Sequence, residues 1–193
     1  MGVFFPHEQL NIADKHAVES VVNKYKPDVI INTAAFTSVD LSEREMEEAY
    51  IVNSSSVEII SVEAEKIEAL VIHFSTDYIF SGERKSSYTE NDIANPMNIY
   101  GASKLAGEVE LRSNSSKYLL LRTSWVFSEF GNNFVKKFHK LPVLVKNYQL
   151  SMIKLAAQLM LAIWLTPLSQ SCIAMRLIKT SILVYIILQG NQQ

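Results

Sequence analysis

The chain has 193 residues, of which 48% are apolar and 20% are charged, and its net charge is −2. This composition excludes a disordered, collagen-like or disulfide-rich protein, and the charge gives no reason to expect nucleic-acid binding. Cys172 is the single cysteine, so no internal disulfide can form and a reducing, cytoplasmic location is expected. The first residues show no basic segment followed by a long apolar one, so no signal peptide is predicted.

Apolar patterns in the first 140 residues predict alternating helices and strands. The predicted elements are a helix ending at Pro27, the strand DVIINTAAF, an acidic amphipathic helix over about 43–68, the strand LVIHFST, a helix from about 96–100 to 112, and the strand YLLLRTSWVF. This alternation is typical of a doubly wound parallel α/β sheet. Ligands of such sheets bind beyond the carboxyl ends of the strands. Here those ends are residues 33–37, 75–78 and 123–127.

The motif YGASK combines a tyrosine and a lysine on one predicted helix. Tyr100 and Lys104 are four residues apart, so they lie one turn apart on the same helix face. An ammonium beside a phenol favours the phenolate, so we expect Lys104 to lower the pKa of Tyr100. The phenol is then a proton donor for a ketone oxygen. Thr76, at the end of the predicted strand, is placed to hydrogen-bond the same oxygen. The alternative is an ordinary surface pair of Tyr100 and Lys104.

Asn53 lies at a predicted helical turn. Its amide side chain is expected to contact either a cofactor or the backbone. For Asn53 alone, the contact with the backbone is the favoured interpretation.

Three segments resemble the dTDP-4-dehydrorhamnose reductase family, a branch of the extended short-chain dehydrogenases/reductases. They are HFSTDYIFSG, NPMNIYGASKLAGE and LRTSWVFSEFGNNF. The resemblance begins near Leu10, includes KPDVIINTAAFTSVD, and ends near Leu141. It implies a Rossmann-type fold and reduction of the 4-keto group of dTDP-4-dehydro-β-L-rhamnose by NADPH or NADH, giving dTDP-L-rhamnose for polysaccharide biosynthesis. It further implies a homodimer without a metal site, a nucleic-acid partner or a membrane partner.

The resemblance also implies roles for individual residues. Tyr100 is the proton donor, Lys104 lowers its pKa and holds the ribose, and Thr76 completes the catalytic triad. Thr76 and Asp77 contact the sugar, and Trp125 packs against it, with a core aromatic as the alternative for Trp125. The residues implied to bind the cofactor are Asn11, Ile12, Ala35, Phe36, Thr37, Phe74, Tyr100 and Lys104.

The chain departs from the family at its start. The family opens with a strand, a glycine-rich turn and a helix, whose N-terminus holds the pyrophosphate. No GxxGxxG pattern occurs in this sequence. We therefore expect residues 1–141 to form an incomplete Rossmann domain that lacks this first unit. On its own, such a chain is expected to bind the dinucleotide weakly and to be inactive.

The chain departs from the family again after Leu141. All 20 acidic residues lie between Glu8 and Glu129, whereas residues 141–193 still contain four basic ones. Permitted codons for residues 152–171, read out of frame, encode DQIGSPTYAGDLADTIIAI, which resembles the family's continuation. We therefore interpret residues 142–193 as an out-of-frame tail without an evolved domain. The alternative is a membrane element, but no apolar run in the tail reaches the ~20 residues that span a bilayer.

A second function class remains open. A non-catalytic member of the same superfamily, such as the regulatory subunit of methionine adenosyltransferase, shares the sheet and some of the motifs. The RTSWVF string and its Trp125 favour the reductase. A stable complex with a partner enzyme, without sugar-nucleotide binding, would favour the regulatory protein.

Overall fold

A computed structural model of the chain describes residues 2–84 and 86–124 and the backbone of the strand at 185–188. Apart from Ser124, these residues belong to one compact unit. Its strands are β1 (Val3–Phe5), β2 (Val29–Asn32), β3 (Leu70–Thr76), β4 (Tyr118–Thr123) and β5 (Tyr185–Leu188). Its α-helices are α1 (Lys15–Tyr25), α2 (Val39–Ser42), α3 (Met46–Tyr50), α4 (Ser56–Lys66) and α5 (Ile99–Asn114).

The five strands form one parallel sheet in the order β1-β5-β2-β3-β4. Asn32 of β2 pairs in register with His73 of β3, and Thr76 pairs with Thr123 of β4. The predicted parallel α/β fold is confirmed. The predicted acidic helix is also present, as α3 and α4 joined by a π-helical turn over Ile51–Ser55.

The middle of the sheet contains a strand from the end of the chain. Strand β5 lies between β1 and β2 and pairs with both. This strand comes from the region interpreted as an out-of-frame tail. The division of the chain into residues 1–141 and 142–193 stays a prediction, because strand pairing does not reveal the reading frame.

The core lies on the sheet face that α1, α4 and α5 cover. Helix α1 begins at its N-cap Asp14, whose side chain accepts hydrogen bonds from the backbone N–H groups of His16 and Ala17. The buried apolar residues of this core are Leu10, Ile12, Val18, Val22, Ile30, Ala34, Val57, Ile60, Ala64, Ala69, Val71 and Leu111. Burial of this continuous cluster is the main force that holds the helices on the sheet.

Helix α5 approaches the π-helical turn closely at Gly107. A Cβ atom at this position would overlap the carbonyl oxygen of Asn53. In an ordinary helix interior, glycine is less favourable than alanine by about 0.8–1 kcal/mol. Glycine is therefore present here because only a residue without a side chain permits the approach.

A Gly107→Ala substitution is expected to lower the free energy of unfolding, although alanine is the better helix former. The reason is that the added methyl group must push α5 away from Asn53, which disturbs the packed core; overpacking of this kind costs about 1–3 kcal/mol. Urea denaturation of the two proteins measures the difference. Ser113→Ala, at an exposed position of the same helix, is the control and should be neutral or stabilising. Equal or greater stability of Gly107→Ala would contradict the close approach.

Candidate active site

The loops that carry the predicted site residues leave one edge of the sheet. Because all strands are parallel, the ends of β1, β2 and β3 lie at the same edge. The chain continues from them to Asn11, to residues 33–37 and to residues 76–78 respectively. The structure therefore places residues 33–37 and 76–78 at the same edge, as the sequence predicts. Of the third predicted end, residues 123–127, residues 125–127 lie outside the described residues.

The N-terminus of α5 positions Tyr100 at this edge. The side chain of Asn98 caps the helix by accepting a hydrogen bond of 2.7 Å from the backbone N–H of Gly101. A Cβ atom at Gly101 would overlap the carbonyl oxygen of Tyr78, so glycine permits the helix to approach the loop after β3. The rings of Tyr100 and Tyr78 then meet edge to face, with centroids 5.7 Å apart.

The side chain of Thr76 acts on the phenol of Tyr100 and lowers its pKa. Thr76 is buried at the end of β3, where its hydroxyl accepts from the N–H of Tyr78 and donates to the Asp77 carboxylate, both at 3.2 Å. Burial is the largest effect and raises the pKa of Tyr100. The side chain of Thr76 lowers this pKa, whereas Asp77 and Tyr78 raise it further. The net shift is opposite in direction to the one expected from the spacing of Tyr100 and Lys104.

Lys104 lies one turn further along α5, with its side chain only 2% exposed. Burial lowers the pKa of Lys104 to about 8, against an opposing effect of Glu108. Its Nζ atom lies 3.5 Å from Nε2 of His73. The helical spacing of the two residues is confirmed, but the lysine is far less solvated than the sequence indicates.

The depressed pKa makes Lys104 a source of pH-dependent stability. Between pH 8 and 10.5 the unfolded chain binds a proton that the folded chain does not, so stability rises with pH across this window. Since one pKa unit corresponds to about 1.4 kcal/mol, the charged lysine costs roughly 3 kcal/mol near pH 7. Lys104→Met is expected to raise stability at pH 7 and to abolish the rise. Urea unfolding at pH 7 and pH 10 tests this, with exposed Lys15→Met as control. A rise that persists in Lys104→Met would assign it to another group.

A buried carboxylate, which the sequence reasoning missed, joins α5 to β4. Glu108 is fully buried and accepts two hydrogen bonds from the Arg122 guanidinium, at 3.0 and 2.7 Å, and one of 3.2 Å from Arg112. The spacing of Glu108 and Arg112 was a visible signal for a helical ion pair. The bidentate contact with Arg122 was not visible, because it joins elements whose packing only the fold determines.

The predicted cofactor loop after β2 is held by Asn53. Its Oδ1 accepts from the N–H of Phe36 at 2.9 Å, and its Nδ2 donates to the Phe36 carbonyl at 3.1 Å. The same Nδ2 donates to Oγ of Ser103 at 3.0 Å, and that hydroxyl donates to the Tyr100 carbonyl at 2.8 Å. The favoured interpretation of Asn53 as a backbone contact is confirmed. Asn53 thus joins the loop to the helix that carries Tyr100.

The other predicted site residues lie in different surroundings. Asn11 is exposed, and its side chain accepts from the N–H of Ala13, whereas the Ile12 side chain lies in the apolar core. Thr37 is exposed, and the half-buried residues of the set are Ala35, Phe36 and Phe74. Trp125 lies outside the described residues. The roles of all these residues stay predictions.

Two kinds of feature are absent from the described residues. No group of three or more His, Cys, Asp or Glu side chains in this part of the chain could hold a metal ion. Within the same residues, no helix is long and apolar enough to cross a membrane.

Comparison with known proteins identifies several dTDP-4-dehydrorhamnose reductases as relatives. The dTDP-4-dehydrorhamnose reductase of Aggregatibacter actinomycetemcomitans is 46% identical over 128 residues, which cover 66% of this chain and 44% of that protein. The reductase of Salmonella typhimurium is 45% identical over 126 residues, which cover 65% of this chain and 42% of that protein. The chain thus spans less than half the length of these relatives. Both are named as reductases, so the alternative of a regulatory subunit is not favoured.

A solved structure agrees in fold. The Bacillus anthracis dTDP-4-dehydrorhamnose reductase in complex with NADP is similar with a TM-score of 0.69 and 39% identity, covering 70% of this chain and 49% of that one. A family model described as the RmlD substrate binding domain matches residues 3–156. This match extends past Leu141, where the resemblance is expected to end, and the exact end of the resemblance stays a prediction. Since this match covers most of the 193 residues, the chain belongs to the RmlD substrate-binding domain family.

Proposed function

We propose that this chain is the catalytic segment of an enzyme that reduces the 4-keto group of dTDP-4-dehydro-β-L-rhamnose with NADPH or NADH. The observation that carries the proposal is the placement of Tyr100 in the first turn of α5 and of Thr76 at the end of β3, where Thr76 acts on the phenol, with Lys104 buried one helical turn away. A carbonyl oxygen gains negative charge during reduction. Two neighbouring hydroxyl groups can stabilise that charge by hydrogen bonding to the oxygen. The named relatives and the NADP-bound neighbour support the same reaction.

Each member of the triad has a distinct proposed role. Tyr100 donates a proton to the 4-keto oxygen, and Thr76 donates a hydrogen bond to the same oxygen. Lys104 holds the ribose of the cofactor, and Asp77 contacts the sugar. When bound, the nicotinamide supplies the hydride. Since the Tyr100 phenol stays protonated as its pKa is raised, the proton is in place when the substrate enters.

The loop after β2 supports a cofactor position at the same edge. Asn53 fixes the backbone of Phe36 through two hydrogen bonds, and Thr37 beside it is exposed. A loop held in this way is preorganised for a ligand at the carboxyl ends of the strands. Ala35, Phe36 and Thr37 are therefore proposed to contact the dinucleotide.

A chimeric enzyme tests the function. Residues 3–123 of this chain replace the matching segment of the Salmonella typhimurium reductase, which supplies the remaining parts of a full-length protein. We expect the chimera to oxidise NADPH in the presence of dTDP-4-dehydrorhamnose, measured as loss of NADPH absorbance, and product formation confirms dTDP-L-rhamnose. A folded chimera that binds the dTDP-sugar without turnover would contradict the proposal.

The same assay has a second arm. The 193-residue chain by itself is expected to be inactive and to bind NADPH weakly, which fluorescence titration measures directly.

Location in the cytoplasm and assembly as a homodimer are also proposed, and light scattering of the chimera tests the dimer.

A further inference from the structure

Three buried polar side chains form a chain of contacts between the sheet and α5. They are Asn32 of β2, His73 of β3 and Lys104 of α5, exposed by 1%, 0% and 2% respectively. Nδ2 of Asn32 lies 3.3 Å from Nδ1 of His73, and Nε2 of His73 lies 3.5 Å from Nζ of Lys104. Asn32 and His73 are paired in register on adjacent strands, so the sheet itself fixes their separation.

A backbone group determines which end of the Asn32 amide faces His73. The N–H of Ala34 donates a hydrogen bond of 3.0 Å to Oδ1 of Asn32. Because a backbone N–H can only donate, the oxygen must be on that side and the NH2 group must point to His73. The NH2 group is itself a donor only. Nδ1 of His73 must therefore be the unprotonated, accepting nitrogen.

This contact sets the tautomer of His73. Burial is the main cause that lowers the pKa of His73 well below its usual value, and the charge of Lys104 is the second cause. The imidazole ring is therefore neutral. A neutral imidazole carries one proton, and with Nδ1 accepting, that proton is on Nε2. The Nε2–H group then points toward Nζ of Lys104.

We propose that Asn32 and His73 are positioning residues that present an N–H donor to Lys104 and thereby favour its neutral amine form. A neutral amine has a lone pair that can accept this hydrogen bond, whereas an ammonium group has only donors. The charge state of Lys104 is a property of this chain and can be measured without any reaction. Its use in catalysis rests on the proposed function. In that use, Tyr100 becomes a phenolate once its proton has gone to the substrate, and the Lys104 ammonium gives it a new proton. Stabilising the neutral amine makes this ammonium the stronger acid.

The opposing charge near Lys104 is Glu108, one turn further along the same helix. Its carboxylate favours the ammonium form. Two guanidinium groups, those of Arg122 from β4 and Arg112 from α5, pair with this carboxylate and reduce its effect on Lys104. From β3, the titratable group beside Lys104 is His73, and from β2 the contact continues through Asn32. The balance of these groups therefore depends on whether Nε2 of His73, which faces the lysine, carries the proton.

Nuclear magnetic resonance of the full 193-residue chain, labelled with ¹⁵N, tests the tautomer directly. We expect Nδ1 of His73 to have the shift of an unprotonated nitrogen and Nε2 that of a protonated one. The chain contains four histidines, and loss of one signal set in His73→Gln assigns the resonances. A proton on Nδ1, or a doubly protonated ring near neutral pH, would overturn the proposal even if no variant folds.

An Asn32→Asp variant tests the effect on Lys104. The carboxylate accepts from Nδ1–H, so the proton leaves Nε2, which then accepts from the ammonium. We expect the acid dissociation constant of Lys104, followed by its ¹³Cε shift, to fall about tenfold or more, as a new charge-assisted contact should produce. Asn23→Asp, at an exposed position of α1, is the matched control and should leave the acid dissociation constant of Lys104 unchanged.

The two measurements separate this proposal from the reductase proposal. Neither needs turnover, so an inactive chimera leaves both readouts intact. A changed His73 tautomer in Asn32→Asp with an unchanged Lys104 titration would show that the imidazole does not control the lysine, and would overturn the proposal.

Discussion

Replacing Tyr100 with phenylalanine is expected to lower kcat of the chimeric reductase by about 10²–10⁴-fold, the usual contribution of general acid catalysis. The ring stays in its edge-to-face contact with Tyr78, so the fold is retained. The phenolic hydroxyl is lost, and with it the proposed proton for the substrate oxygen. Loss of NADPH absorbance under saturating substrate measures the effect.

Tyr78→Phe is the matched control for this prediction. Tyr78 is adjacent to Tyr100 and 45% exposed, and it has no proposed proton to donate. It should leave kcat near that of the unmodified chimera. Near-parental kcat in Tyr100→Phe, or an equal loss in both variants, would show that Tyr100 is not the proton donor.

An Ile187→Pro substitution is expected to destabilise the folded unit by about 1–3 kcal/mol, the cost of a buried backbone partner left unsatisfied. Ile187 is paired in register with Phe4 of β1 and Ile31 of β2. A proline in the middle of a sheet lacks the N–H group that such pairing requires. Urea denaturation of the 193-residue chain measures the loss.

Gln192→Pro, beyond the end of β5, is the control for that substitution and should leave stability unchanged. If Ile187→Pro has no more effect than this control, β5 contributes nothing to the fold. The interpretation of residues 142–193 as an out-of-frame tail without an evolved domain would then be favoured. Sequencing the coding DNA around Leu141 tests the frame itself.

The sequence by itself determined the fold class and the spacing of the proposed catalytic pair. The run LVIHFST became β3 and ended at Thr76, and the spacing of Tyr100 and Lys104 placed them one turn apart on α5. These features depend on local periodicity, which is read from neighbouring residues. The segments around them also carry family motifs, and these identified the chain's relatives.

Two strands were beyond the reach of such reasoning. Strand β1 has only three residues, too few for a period to be recognised. Moreover, β5 is paired with strands more than 150 residues away. Its position in the sheet therefore depends on long-range pairing and not on its own composition.

The electrostatics of the site were decided by the tertiary structure alone. Asn32 and His73 are 41 residues apart in the sequence, and Lys104 is 31 residues beyond His73. Burial lowers the pKa of Lys104 to about 8 and raises that of Tyr100, opposite to the effect expected for the phenol. Spacing predicts which side chains share a helix face, but a pKa depends on desolvation and on partners from other elements, which exist only after the sheet and helices have packed.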